Sequence, residues 1–172
     1  MEIRLSLDEL RQLSLWTADC AEQVLPLYDA VAPDDRRPRE AIEVVREFGA
    51  GGNRTKAIRT AAWAALKAAG EVDDPAAEAA ARATVAAAGS AYLHPLAAAT
   101  QVKHIVGSAQ YAAYAHELAT GDPEPILSWA IERVPPAVRD VLRRYPQGTP
   151  GRSRLGELHR QLETELRRPS TS

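Results

Sequence analysis

One stretch constrains this fold more than any other. Residues 75–89 run from a proline to a glycine, and nine of the thirteen residues between them are alanine. Alanine is the strongest helix former because it loses no side-chain entropy on folding. A helix coated in methyl groups has no distinct apolar stripe, so its buried and exposed faces are hard to tell apart. Neighbouring helices can approach it closely from several sides. The rest of the chain fits that picture: 45% of residues are hydrophobic but only 5% aromatic. The expected core is therefore made of small side chains, and each large residue carries more weight.

The pattern elsewhere is helical. Ser6 and Glu9 have the spacing of a capping box. Behind them Leu10, Leu13, Thr17, Cys20, Val24 and Leu27 recur at three and four residues, the mark of one buried helix face, which Pro26 kinks or ends. A charged turn at 33–37 leads to Pro38, suited to the first turn of a second helix. That helix buries Ile42, Val45 and Phe48 and stops at Gly49, Gly51 and Gly52. A third spans about 54–69, with Ile58, Ala62, Ala65 and Leu66 inward, and the alanine helix is the fourth. Pro95 is read as opening a long helix to about Thr120. Shorter helices follow around Ile126 and from Pro135, and a last one aligns Leu155, Leu158, Leu162 and Leu166. No segment alternates in the manner of a strand. The expected fold is an all-α, single-domain, alanine-rich helical bundle or array of about seven or eight helices. Residues 1–146 form the main helical domain, 147–153 a loop, and 154–168 an amphipathic helix packed on the same domain. The tail at 169–172 is expected to fray.

Composition narrows the function classes. With 21 basic and 23 acidic residues the net charge is −2, which gives no global attraction to nucleic acid or anionic lipid. No apolar run approaches the roughly 20 residues that cross a bilayer, and the N-terminus lacks the apolar core of a secretion signal. With Met1 at its head the chain reads as complete at that end and as cytoplasmic. The lone Cys20 excludes an internal disulfide framework and a cysteine zinc site. His94, His104, His116 and His159 lack paired helical metal-ligand spacing, so no metal and no cofactor are assigned. Phosphate-binding glycine motifs and the nucleophile elbow are absent.

Three groups could carry chemistry. If residues 94–104 are helical, the seven-residue step places His94 and Gln101 on one face, with His104 a turn further on. That is either a polar pocket or a helix start whose glutamine satisfies a neighbouring backbone group. On the first helix Trp16, Asp19 and Cys20 form a second cluster. Asp19 can anchor an arginine, while Cys20 is either a small core residue or a nucleophile in need of a base. Third, Lys56, Arg59, Trp63 and Lys67 share one side of the third helix. They form either a ligand surface with cation–π character or a solvated face whose tryptophan lies under basic stems. Arg36, Arg37 and Arg39 add charge nearby, interleaved with Glu40, Glu43 and Glu47 as in surface salt bridges.

The segments 16–22, 35–42, 54–57 with 63–66, and His94-Pro95-Leu96 with 99–105 together resemble a bacterial immunity-protein family, the immunity-protein-5-like group. Segments 140–146 and 156–158 look similar as well, and the alanine and arginine content resembles actinobacterial proteins. The resemblance implies a toxin-neutralising binding protein and supplies no catalytic residues. The first expectation is therefore protein–protein contact with a cognate toxin, with Arg36, Arg37, Arg39, Lys56, Arg59 and Trp63 as surface candidates. The alternative is a small-molecule binder or an enzyme of specialised metabolism, using a pocket around Trp16, Asp19, Cys20, His94, Gln101 and His104. Monomer and homodimer stay open.

Overall fold

The computed structural model describes residues 1–170 and builds them around the alanine helix. Thr171 and Ser172, in the tail expected to fray, lie outside the described residues. Among the described residues there are nine α-helices: α1 (Leu7–Glu22), α2 (Leu25–Asp29), α3 (Arg37–Gly49), α4 (Lys56–Gly70), α5 (Pro75–Gly89), α6 (Lys103–Thr120), α7 (Glu124–Arg133), α8 (Pro136–Arg143) and α9 (Arg154–Arg167). Short 3-10 turns at Ser90–Tyr92 and Ala99–Val102 link α5 to α6. The element beyond the expected count is α2, where Pro26 sits in the first turn of a new short helix.

The central helix is α5, which packs against α1, α2, α3, α4 and α6. Its alanines at 77, 80, 81, 83, 87 and 88 are fully enclosed. Asp74 caps it, accepting from the Ala77 N–H at 2.8 Å. Methyl-sized residues bring helix axes toward the short end of the usual 8–10 Å range, and the α5–α6 seam shows the result. A Cβ added to Gly107 on α6 would stand 3.4 Å from the Ala86 methyl. Where α1, α5 and α6 meet, close backbones are bridged by short hydroxyls. Ser90 Oγ lies 3.1 Å from Ser14 Oγ and 3.0 Å from Thr17 Oγ1, and Ser108 donates to Thr17 O at 2.6 Å. All four are buried and every buried side-chain polar atom among the described residues has a partner, so the hydrogen bonds offset the cost of desolvating this polar seam.

Large side chains close the periphery. Trp16 is buried and its indole N–H donates to Ala130 O at 3.1 Å, tying α1 to α7. The capping box on α1 is present on both sides. Arg11 donates to Phe48 O, Gly51 O and Gly52 O, satisfying carbonyls where α3 ends; Gly51 there has φ +117, open to glycine alone at low cost. α9 lays Leu158, Leu162 and Leu166 inward against α6, α7 and α8. Arg139 and Arg143 of α8 donate to the terminal carbonyls of α9.

One expected element has a different form. Residues 93–98 are not the start of a long helix. Pro95 forces its predecessor toward extended backbone, and the segment pairs with the N-terminus: Ile3 N–H donates to Pro95 O at 2.9 Å and Ala97 N–H to Met1 O at 3.1 Å. The single bridge between Glu2 and Leu96 is the only β-type pairing among the described residues.

Candidate functional site

The charge of α4 is all of one sign. Residues 48–70 include four cations, Arg54, Lys56, Arg59 and Lys67, and no carboxylate. Ile58, Ala65, Ala68 and Ala69 point into the core, which leaves Lys56, Arg59, Thr60, Trp63 and Lys67 outward. Those residues recur at three- and four-residue steps, so they form one face.

Tyr92, on the 3-10 turn after α5, completes that face from another part of the chain. Its hydroxyl donates to Thr55 O at 3.2 Å. The guanidinium carbons of Arg54 and Arg59 stand 5.6 and 4.8 Å from its ring centroid, and Arg54 also donates to Ala91 O at 3.0 Å. The two arginines are therefore positioned against an aromatic ring rather than loose in solvent. With Thr55 and Lys56 they line a groove of about 210 Å³. One turn further along, Trp63 is 66% exposed, so the neighbouring stems do not cover it. None of the four cations forms an ion pair among the described residues. Lys67 contributes to holding the Glu71 carboxyl below its ordinary value, after the larger effect of the Arg37 hydrogen bond.

The remaining surface candidates are arranged differently. Arg36 pairs with Glu43 at 2.9 Å, Arg39 with Asp29 at 2.9 Å, and Arg37 with both Asp35 and Glu71 at 2.7 and 2.6 Å. Asp35 also accepts from the buried Tyr28 hydroxyl at 2.7 Å. Burial and that hydrogen bond push the phenol up to about 12. These arginines brace the α2–α3 turn, with their charge already neutralised.

The pocket candidates are not gathered on a common cavity. Trp16 is closed on Ala130 O, as above. Asp19 is exposed and does anchor an arginine, accepting from Arg46 at 2.8 Å beside Glu22 at 2.6 Å. Cys20 is fully buried; burial, with the Asp19 charge, pushes its thiol well above the ordinary range, which removes thiolate chemistry. Gln101 Oε1 accepts from the His94 backbone N–H at 2.9 Å, while His94 O accepts from Tyr145 Oη at 2.7 Å. The His94 imidazole is left on the surface. His104 is partly buried on α6 beside Gly89, and burial together with Lys103 lowers its pKa. No group of three or more potential metal-ligating side chains occurs among the described residues, and none of their helices is long and apolar enough to cross a membrane.

A family model described as "Imm-5 like putative immunity protein" matches residues 4–137. The chain belongs to this family. The matched span takes in α1 to α7, and so the whole α4 face and Tyr92, and it ends inside α8. The family description gives a class of role, immunity, and names no partner. Neither curated proteins nor solved structures give a match.

Tyr92 and Arg54 were not among the residues expected at this face. Arg54 precedes the helix and carries no periodic signal, and Tyr92 reaches α4 only through the α4–α5 packing. The basic-aromatic spacing of α4 itself was readable.

Proposed function

We propose that this chain is an immunity-type binding protein that neutralises a cognate bacterial toxin by direct contact, using the outer face of α4 against an acidic surface on the toxin. The observation that carries the reading is Trp63: a tryptophan two-thirds exposed, set among four cations with no carboxylate on the same segment. Tryptophan, tyrosine and arginine are the residues in which binding energy concentrates at protein interfaces. A cationic rim around such an anchor raises association rates with an acidic partner and disfavours basic ones. The family membership supplies the class of role, and the α4 face supplies a surface able to perform it without a pocket.

The test is to screen the products of the neighbouring genes for a binder and to measure its affinity by calorimetry with wild type, Trp63→Ala and the double variant Lys56→Glu/Arg59→Glu; recovery of no binder would count against the reading. Loss of an anchoring tryptophan costs about 2 kcal/mol or more, roughly a thirtyfold rise in Kd. The charge reversal lowers the association rate and flattens its dependence on salt. Both substitutions fall at exposed positions, so melting temperatures stay close to wild type. Undiminished affinity in both folded variants would remove α4 as the contact face.

A further inference from the structure

A second site lies between α6 and α9, outside the contact face proposed above. The loop preceding α9 folds back over that helix and is held at unusually short range. A Cβ on Gly156 would fall 1.9 Å from Gly151 O, so only glycine permits the approach. Beneath the loop, Glu163 is 2% exposed and accepts from three donors: Gly148 N–H at 2.9 Å, His159 Nε2 at 2.8 Å and Arg167 Nε at 2.9 Å. Burial alone would raise this carboxyl, but the three donors outweigh it and the pKa is lowered, so Glu163 is a carboxylate and His159 Nε2 carries the proton it accepts.

That assignment fixes the other ring nitrogen. In the neutral form of the ring, with Nε2–H spent on Glu163, Nδ1 is a lone-pair acceptor. His159 is only 7% exposed, Nδ1 has no protein partner, and no buried side-chain nitrogen or oxygen among the described residues lacks one. Nδ1 is therefore not sealed from solvent. His159 lines a crevice of about 370 Å³ between α6 and the loop, together with Lys103, Thr100, Tyr111 and Thr149. The volume is at the small end for ligand sites. The Glu163 and Arg167 charges cancel at 2.8 Å; Lys103 brings an ammonium to the crevice lining, and Arg160 adds a second cation at the loop, donating to Gly151 O.

We propose that the crevice between α6 and α9 binds a small hydroxylated carboxylate, its hydroxyl donating to His159 Nδ1 and its carboxylate meeting Lys103. Thr100 and Thr149 add hydroxyls at the rim, and Tyr111 gives an apolar flank. A buried carboxylate that orients a histidine is costly to assemble merely to hold a loop, since Arg167 already donates to Tyr145 O and Pro146 O there.

The experiment is a backbone and imidazole NMR titration of the full chain with lactate, tartrate and, as the uncharged control, lactamide. Expected are shifts confined to α6, the 148–153 loop and the His159 ring, with a Kd of about 1 mM or tighter for one hydroxy acid and at least tenfold weaker binding of lactamide. Lys103→Ala, an exposed change, weakens the acid about tenfold. His159→Gln retains a donor to Glu163 but has no acceptor at the Nδ1 position, and abolishes the shifts while the fold persists. The proposal is overturned if no probe shifts these resonances, if lactamide binds as well as lactate, if either variant binds unchanged, or if the shifts cluster on α4.

Discussion

Gly107 offers the sharpest test of how closely the helices pack. It lies inside α6, is buried, and has no positive φ that would demand glycine. Replacing it with alanine restricts the unfolded chain and improves helix propensity, together worth about 0.5–1 kcal/mol. Against this stands the new methyl, 3.4 Å from the Ala86 Cβ. Carbon pairs are most stable at about 3.5–4.0 Å, so the contact is slightly short and relieved by a shift of a tenth or two of an ångström. The propensity gain wins. Gly107→Ala should stabilise the protein by about 0.5 kcal/mol, raising Tm by about 1–2 °C for a chain of this size. Gly107→Leu must push α5 away and should cost about 1–3 kcal/mol or more. Urea unfolding followed by far-UV circular dichroism measures both. The reasoning fails if the alanine variant loses more than about 1 kcal/mol, or if leucine is accepted without loss. The first result would mean the α5–α6 seam cannot relax at all, and the second that it is not closely packed.

Other expectations follow from the same packing and charge arrangement. Gly156→Ala places a methyl on the Gly151 carbonyl; the loop must lift, costing about 1–3 kcal/mol, and limited proteolysis should cut within 147–153 in the variant first. Trp16→Phe removes the donor to Ala130 O and should cost about 1 kcal/mol by equilibrium denaturation, with the far-UV spectrum unchanged. Glu9 is held down to about 2 by Arg144, with help from Ser6. A folded-state pKa below the unfolded one means its contribution is fully present above about 4.5 and is lost as pH falls toward about 2. Thermal melts across that window should therefore fall more steeply for wild type than for Glu9→Gln, and parallel curves would rule out the pair as a contributor.

Helix positions were legible because each rests on short-range chemistry. The Ser6–Glu9 box, the Asp74–Pro75 start and the Leu158, Leu162, Leu166 stripe are patterns within one or two turns, and the structure contains all three. The misreading at residues 94–101 has the opposite origin. Local spacing allowed a helix there, but the segment's backbone partners are Met1 and Ile3, far away in sequence, and Pro95 tilts the local balance toward extended backbone. Gln101 still meets His94, through the backbone N–H rather than the imidazole. The α4 face was half legible. Its helical spacing is written in Lys56, Arg59, Trp63 and Lys67, whereas Tyr92, which positions the arginines, depends on tertiary packing. His159 carried no signal as a metal ligand, yet the i, i+4, i+8 series His159, Glu163, Arg167 is visible once a buried carboxylate is known to lie between the two.

The alanine interior bears on where activity can reside. A core of methyl groups and bridging hydroxyls leaves no buried side-chain nitrogen or oxygen without a partner among the described residues. Trp16 and Cys20, the large and reactive exceptions on α1, are consumed in closing it. Most surface arginines are consumed as well: those of α3 hold carboxylates and those of α8 hold the carbonyls ending α9. The cations of α4 and the crevice beside His159 take no part in that bracing. They also differ with respect to the family. The α4 face lies wholly within residues 4–137, while the crevice takes one wall from α6 inside that span and the other from α9 beyond it. The family match thus covers the α4 face in full and the crevice only in part. Trp63→Ala and Lys103→Ala address the two surfaces independently, and toxin affinity should respond to the first and not the second.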